Sequence, residues 1–398
     1  MKTSLRIAVT GLAVTYPFGG VFWDYLQYLL GFHRLGHDVL YIEDTGKWCY
    51  DPIAGTFIED GSRNAAYLAR EIKVLHADLA DCWFYRDASG KTYGRPWNRV
   101  ASFCRSADLF IHLSASCWMR QEYYSARRVA FIDTDPMYTQ ASGSDYLTQT
   151  APNKARSRVN MQETHDIFFT FGENIGAPDC KVPTGLLRWL PTRQPIVLEC
   201  FDQATVPVSV RRRVMTTVAS WEPTEQGPTV NGTAYGGKNI EFERFVDLPS
   251  RAVLPLEIAV SGRAPALRLQ RHGWILRDGL EVSYNPWVYR DYLAHSAGEW
   301  SVAKNAYVAS RSGWFSCRTA CYLSLGVPAV VQNTGFGATI PTGEGLFAFS
   351  SLEEAAEAIA QIAANPDKHA AKARDIALEY FDSRVVLSDL LRVAFSQE

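Results

Sequence analysis

The stretch SGWFSCRTACYLSLGVPAVVQNTGFG, residues 312–337, holds residue types that grip an anion. Gly313 admits a close backbone approach, and Ser316 opens a helix whose positive end favours negative charge. Arg318, on the first turn, offers paired N–H donors to phosphate oxygens. The same residues also fit a plain helix start, with Ser316 as cap, Arg318 on the surface and Gly326-Val327-Pro328 as a helix-to-strand turn. Thr334-Gly335 after the next apolar run fits either reading. In open parallel sheets ligands sit beyond the carboxyl ends of strands, so residues that follow apolar runs are the ones to watch. In the second half of the chain these are Ser220, Lys238, the HGW segment ending at Trp274, and the stretch from Glu299 through Ser301 to Lys304.

The elements that must position these residues alternate along the chain. LRIAVTGLAV (5–14) has the composition of a strand buried on both faces, and the turn YPFGG follows. Phe22, Tyr25, Leu26, Leu29, Leu30 and His33 then recur at helical spacing before RLGHDVLYIED restarts as a strand. ADLFIHL (107–113), RVAFIDTD (128–135) and HDIFFTFG (165–172) repeat the rhythm, which implies a parallel sheet with helices on both faces. A proline-rich stretch, 181–208, reads as the connection to a second series. That series is VMTTVASW (214–221), LEIAVSG (256–262), HGWILRDG (272–279), AYVASR (306–311), VPAVVQN (327–333) and GLFAF (345–349). Ser351-x-x-Glu354 is a capping box that starts a helix, Asn365-Pro366 stops it, and two more helical segments close the chain.

Length and composition bound the rest. At 398 residues the chain exceeds one core, which predicts two domains. An apolar fraction of 47% is that of an ordinary globular protein, and a net charge of -2 argues against a broad polyanion-binding face. Eight cysteines without any C-x-x-C signal neither a zinc cage nor a disulfide framework, which fits a reduced, cytoplasmic protein. The first apolar segment is interrupted by Thr10, Gly11, Thr15 and Pro17 and reads as a strand rather than a signal peptide.

GHDV after the first helix, the whole of 312–337 and the trailing PTGEGLFAFSSLEEAAEAI resemble a bacterial glycosyltransferase of the GT-B fold. The resemblance implies an α/β architecture of two Rossmann-like domains facing across a cleft. Residues 1–190 would bind the acceptor, 191–380 would bind a nucleotide-sugar donor, and 381–398 would cross back to the N-terminal domain. It implies further that Gly313, Trp314, Phe315, Ser316 and Arg318 cradle the donor diphosphate together with Lys304. Thr334 and Gly335 would lie near the sugar, Trp274 would stack on the base or sit in the core, and Gly19 and Gly20 would form the first crossover beside the donor. Many members place a glutamate pair, or one glutamate, ahead of the Gly-Val-Pro turn. Gly313 and Cys321 stand there instead, so the ribose contact and the stereochemistry stay open, with inversion favoured.

An inverting transfer needs a base within hydrogen-bond reach of the acceptor hydroxyl. Asp133 and Asp135 follow the run RVAFI, Asp24 lies one turn into the first helix, and His112 is a weaker candidate. Asp133-Thr134-Asp135 also spells D-x-D, which in another glycosyltransferase fold holds a divalent metal. The double βαβ rhythm favours a metal-free reaction with no cofactor beyond the nucleotide-sugar, a UDP-sugar by default. The alternatives are a sugar-nucleotide epimerase or hydrolase, or a non-catalytic binding protein. The first crossover lacks G-x-G-x-x-G, which speaks against NAD. For the acceptor, a small molecule or glycan leads, with nucleic acid open. The aromatic residues of 45–125, among them Trp48, Tyr50, Trp83, Trp97 and Trp118, are candidates for its cleft or for core. Closure of the domains about 181–208 is expected.

Overall fold

The computed structural model describes residues 4–141, 148–150, 158–222 and 226–396. Two sheets organise them. In the first, β1 (Arg6–Thr10), β2 (Asp38–Glu43), β5 (Trp83–Arg86), β7 (Leu109–Leu113), β8 (Val129–Asp133), β11 (Ile167–Thr170) and β12 (Trp189–Pro191) run parallel. Their order is β12-β11-β8-β7-β1-β2-β5, and β6 (Thr92–Gly94) closes the edge antiparallel to β5. In the second, β13 (Met215–Trp221), β16 (Leu256–Gly262), β17 (Ile275–Asp278), β18 (Gly298–Ser301), β19 (Ala329–Gln332) and β20 (Leu346–Phe349) are all parallel, in the order β17-β16-β13-β18-β19-β20. Three short ribbons decorate the sheets: β3 (Cys49–Asp51) with β4 (Thr56–Ile58), β9 (Thr148–Thr150) with β10 (Arg158–Asn160), and β14 (Gln226–Val230) with β15 (Thr233–Gly236).

In both sheets the first strand is central. The chain steps outward on one side, then returns to the centre and steps outward on the other. This doubly wound order leaves a crevice at the reversal, beside β1 in one sheet and β13 in the other. Strands β7, β8, β11 and β19 are buried along their whole length, which explains their near-continuous apolar runs.

The helices used below are α1 (Gly19–Arg34), α2 (Ser62–Leu75), α3 (Pro286–Ala294), α4 (Asn305–Ser310), α5 (Cys317–Ser324), α6 (Leu352–Ala364), α7 (Pro366–Tyr380) and α8 (Ser383–Phe395). The capping box forms as read: Ser351 Oγ accepts from Glu354 N at 3.1 Å, and Glu354 Oε2 accepts from Ser351 N at 3.3 Å.

Three expectations change. AYVASR is the helix α4 rather than a strand, and the strand before it is GEWS of β18. The four residues of β18 include the buried acid Glu299, which disguised the strand as polar. Trp83–Arg86, which has no counterpart among the strands expected from sequence, is β5. The proline-rich stretch is no free linker. It contains β12, and Gln194, Ile196, Val197, Leu198 and Phe201 beyond it are buried. Val197 N donates to Gln27 Oε1 at 2.8 Å, Gln194 Nε2 to Phe315 O at 2.6 Å, and Ile196 N to Phe381 O at 2.7 Å. A segment with its backbone groups satisfied on both sides is part of the packing between the halves.

The seam between the halves is apolar. One cluster of buried side chains runs unbroken from Ile7, Leu26 and Leu29 to Tyr289, Leu323 and Leu387. Helix α1 lies at its centre: Trp23 Nε1 donates to Pro286 O at 2.9 Å, and Gly31 faces Leu387 of α8. Gly19 belongs to this contact rather than to a ligand site. A Cβ there would fall 2.5 Å from Tyr289 Cβ and 3.0 Å from Asn285 O, both of which are fixed by the main chain. Gly19→Ala is therefore expected to destabilise the protein by about 1–3 kcal/mol through overpacking. A thermal midpoint equal to wild type would show that α1 and α3 are not pressed together there.

Candidate active-site cleft

Because every strand at the reversal points the same way, the residues after the strands collect in one place. A cleft of about 570 Å³ lies there. From the first half it is lined by Leu12 beyond β1, Ser114 beyond β7, Thr134 and Asp135 beyond β8, and Phe171 beyond β11. Gly20, Asp24 and Tyr25 of the first turns of α1 complete that wall. From the second half come Ser220 at the end of β13, Ser261 at the end of β16, and Gly279 and Ser283 beyond β17. Lys238, Lys304, Trp314, Ser316, Cys317 and Arg318 form the rest of that wall.

The second wall favours an anion. Ser316 precedes α5 in an extended conformation and makes no side-chain cap bond, so the first N–H groups of α5 keep their donors toward the cleft. Lys238 and Lys304 add positive charge, and no carboxylate lines this wall among the described residues. Arg318 is present but already engaged. Its Nε donates to Glu299 Oε1 at 2.7 Å and its Nη1 to Val218 O at 2.8 Å. The expected bidentate grip on phosphate through both of these donors is therefore not available without breaking this pair. Glu299 is fully buried, and its Oε2 has no hydrogen-bond partner.

The three candidate aspartates have three different surroundings. Asp133 is fully buried and accepts from Thr139 Oγ1 (2.5 Å), Gln140 Nε2 (2.8 Å), Thr170 Oγ1 (2.7 Å) and Asp135 N (3.0 Å). Burial raises its pKa and these donors oppose the rise. It fixes the turn after β8 and has no lone pair facing the cleft, so it is removed from the candidates for proton transfer and for a D-x-D metal site. Asp135 is half-exposed and spans the seam: Lys304 Nζ lies 3.0 Å from its Oδ1, and the Tyr307 hydroxyl donates to the same oxygen. Asp24 is partly exposed to the cleft. Burial raises its pKa to about 6 against the opposing hydrogen bond from the Cys317 thiol, and the neighbouring Asp135 charge adds to the rise.

Several residues expected at the site lie elsewhere. Trp274 is core: it is 2% exposed, its Nε1 donates to Val246 O at 2.8 Å, and it packs on Phe242 and Trp300. Phe315 is buried against Phe336 and Phe381. Gly313 does make a close approach, but to protein. A Cβ would fall 2.4 Å from Asn174 N, and the left-handed φ of 80° serves that crossing of the two halves. Thr334 is buried with its hydroxyl on Trp314 O at 2.6 Å, and Gly335 turns beneath Arg311 O and Asn174. Glu299 and Ser301 are buried behind the wall. His112 is core, with Nδ1 3.1 Å from His165 Nε2. None of the aromatic residues of 45–125 reaches the cleft; Trp97, Trp118 and Tyr124 line a separate hollow.

The structure also adds residues. Ser114, with φ of 57°, hydrogen-bonds Thr134 beyond the neighbouring strand β8 at 2.6 Å, and its place directly after a strand was the available signal. Tyr289, Tyr307 and Gln194 reach the cleft from elements whose packing no local pattern encodes. Glu43 lies beneath the 11–18 loop and accepts from its Val14 N (2.8 Å) and Thr15 N (2.5 Å), and also from the hydroxyl of Tyr41 on the same strand (2.8 Å). Burial lifts its pKa to about 7.

With this geometry in place, the solved structures are informative. An alpha-glucosyltransferase in complex with UDP and a 13-mer DNA containing a central A:G mismatch matches with a TM-score of 0.61 at 11% identity, over 98% of this chain and 99% of that chain. An alpha-glucosyltransferase in complex with UDP-glucose and DNA containing an abasic site matches at 0.57, with the same identity and coverage. AviGT4, a glycosyltransferase involved in avilamycin A biosynthesis, matches at 0.53 and 12% identity, over 98% of this chain and 97% of that one. The chain has the GT-B fold. No protein-family model matches it, and no curated protein matches it in sequence. No helix among the described residues is long and apolar enough to cross a membrane.

In this GT-B chain the Arg318–Glu299 pair is a buried ion pair first, whatever else it contacts. Arg318→Ala is expected to lower stability by about 3–5 kcal/mol, because Glu299 would be left charged and unpaired. Adding Glu299→Gln should recover a large part of the lost thermal midpoint. A single mutant that melts like wild type would show that the pair is not shielded from water.

Proposed function

We propose that the protein transfers a sugar from a nucleoside-diphosphate sugar to a hydroxyl of an acceptor held against its N-terminal half. The observation that carries this reading is the meeting of the two walls. An open helix N-terminus with lysines shares one cleft with Asp24, a carboxylate whose pKa burial raises to about 6 and which meets the Cys317 thiol at the start of that helix. The second wall suits the diphosphate, whose negative charge grows as it leaves, and the N–H dipoles of α5 with Lys304 and Lys238 are aimed at it. UDP or UDP-glucose bound to structures of the same fold supports a UDP-sugar as the donor.

Asp24 is the proposed base. Its pKa near 6 leaves it ionised at pH 7 yet basic enough to accept a proton. The acceptor oxygen attacks the anomeric carbon, its proton passes to Asp24, and the bond from that carbon to the diphosphate oxygen breaks. Attack opposite the leaving group inverts the anomeric centre. Asp135 holds Lys304 toward the cleft and Tyr307 beside it, as a positioning residue. The donor wall lacks carboxylates among the described residues, and Asp133 is consumed by four donors, so leaving-group charge falls to the helix and the lysines. The acceptor is a small molecule or glycan. DNA in the alpha-glucosyltransferase structures makes nucleic acid the further class to screen, although the net charge of -2 does not favour it.

The experiment is calorimetric binding of UDP, GDP, dTDP and ADP, followed by turnover of the matching sugar donor with an acceptor panel. With wild type, kcat/KM should rise with pH through an apparent pKa of about 6 and then level, as Asp24 deprotonates. Asp24→Asn should keep nucleotide affinity and lose about 10²–10⁴ in kcat. Near-wild-type turnover of that variant would remove Asp24 as base, and a retained anomeric configuration by NMR would remove the direct displacement. Donor consumed equally without acceptor would instead identify a hydrolase or epimerase. Activity should persist in excess EDTA; full loss, restored by Mn²⁺, would overturn the metal-free part.

A further inference from the structure

One group of metal-ligating side chains stands outside the cleft among the described residues: His33, His76 and Asp78, whose ligand atoms all lie within 4.8 Å of one another. His33 is on the last turn of α1. His76 ends α2, and Asp78 lies in the turn that follows. The sequence offered no zinc pattern here because the two imidazoles are 43 positions apart and the fold alone joins them.

We propose that these three side chains bind a divalent transition ion, Zn²⁺ in the first instance, which clips the end of α1 to the turn after α2. His33 Nε2 and His76 Nδ1 are each 3.9 Å from Asp78 Oδ2. Ligands of tetrahedral zinc at about 2.1 Å stand roughly 3.4 Å from one another, so each of these two pairs must close by about half an ångström, and the two nitrogens, which lie within 4.8 Å of each other, must close by a turn of the rings. The carboxylate can supply the movement in its own two pairs, because the Asp78 side chain is 73% exposed. The imidazoles already meet edge to face, their ring centres 4.8 Å apart at 62°. His76 Nδ1 carries a lone pair toward the site: it accepts only a long 3.4 Å bond from Asp78 N, which the metal would replace. Two neutral nitrogens and one carboxylate form the mixed N/O set that zinc accepts, and water would fill the fourth position.

The site is remote from the chemistry. His33 is nine residues beyond Asp24 on the same helix, about 14 Å at 1.5 Å per residue. The ion is therefore a structural clip, and its removal leaves the cleft charges as they are.

The test uses the full chain, stripped with EDTA and dialysed against Zn²⁺ at about 10 µM free ion, with metal analysis and thermal unfolding; a ligand of the folded state alone raises the midpoint. The expected result is one zinc per chain, a higher midpoint with zinc, and at least a tenfold loss of affinity in His33→Gln/His76→Gln. That variant should melt like the stripped wild type. Because eight thiols also compete for zinc, Co²⁺ serves as a second probe, and its spectrum should lack thiolate charge transfer. No bound zinc in the wild type, stoichiometry unchanged in the double variant, or a thiolate spectrum would each overturn the proposal.

Discussion

The packing of α1 across the seam is the constraint on which the rest depends. A helix that belongs by connectivity to the first sheet is pressed against α3 and α5 of the second half and against α8 at the chain's end. Its core is continuous with both halves, so the two sheets cannot choose their relative position independently. That fixes where the carboxyl ends of the strands converge, and it brings Asp24 to the same opening as the start of α5. Trp23 and Asp24 are neighbours in sequence with opposite duties: one is buried and bonded to Pro286 O, the other turned to the cleft.

Electrostatics then sorts residues that look alike. Asp24, Asp133 and Asp135 have the same side chain, and two of them are two positions apart. Four donors occupy Asp133, a lysine and a tyrosine hold Asp135, and burial beside a weak thiol donor leaves Asp24 with a raised pKa. The same sorting acts on cations. Arg318 compensates Glu299 inside the protein, while Lys304 reaches across the seam. A carboxylate or guanidinium near a cleft therefore has to be judged by what already satisfies it.

Glycine shows the same limit. Gly313 and Gly335 do mark places where only glycine fits comfortably, as their types suggested. What comes close, however, is Asn174 and the Arg311 carbonyl of the protein itself. Close backbone approach has one signature in sequence whether the neighbour is a phosphate or another loop.

The sequence alone determined the α/β class, the doubly wound rhythm, most strands of both sheets, α1, the capping box of α6 and the positions after strands where the cleft opens. These features are local: periodicity, turn residues and caps act over a few residues. The resemblance carried by 312–337 reached the GT-B fold, although the donor-cradle residues it named were only partly those that line the cleft. The tertiary structure decided the rest. It placed Trp274 and Phe315 in the core, set Glu299 beneath Arg318, made α4 a helix, buried the connection between the halves and joined His33 to His76. Each of these is a contact between residues far apart in the chain, and solvation, burial and hydrogen-bond satisfaction exist only once that contact is made.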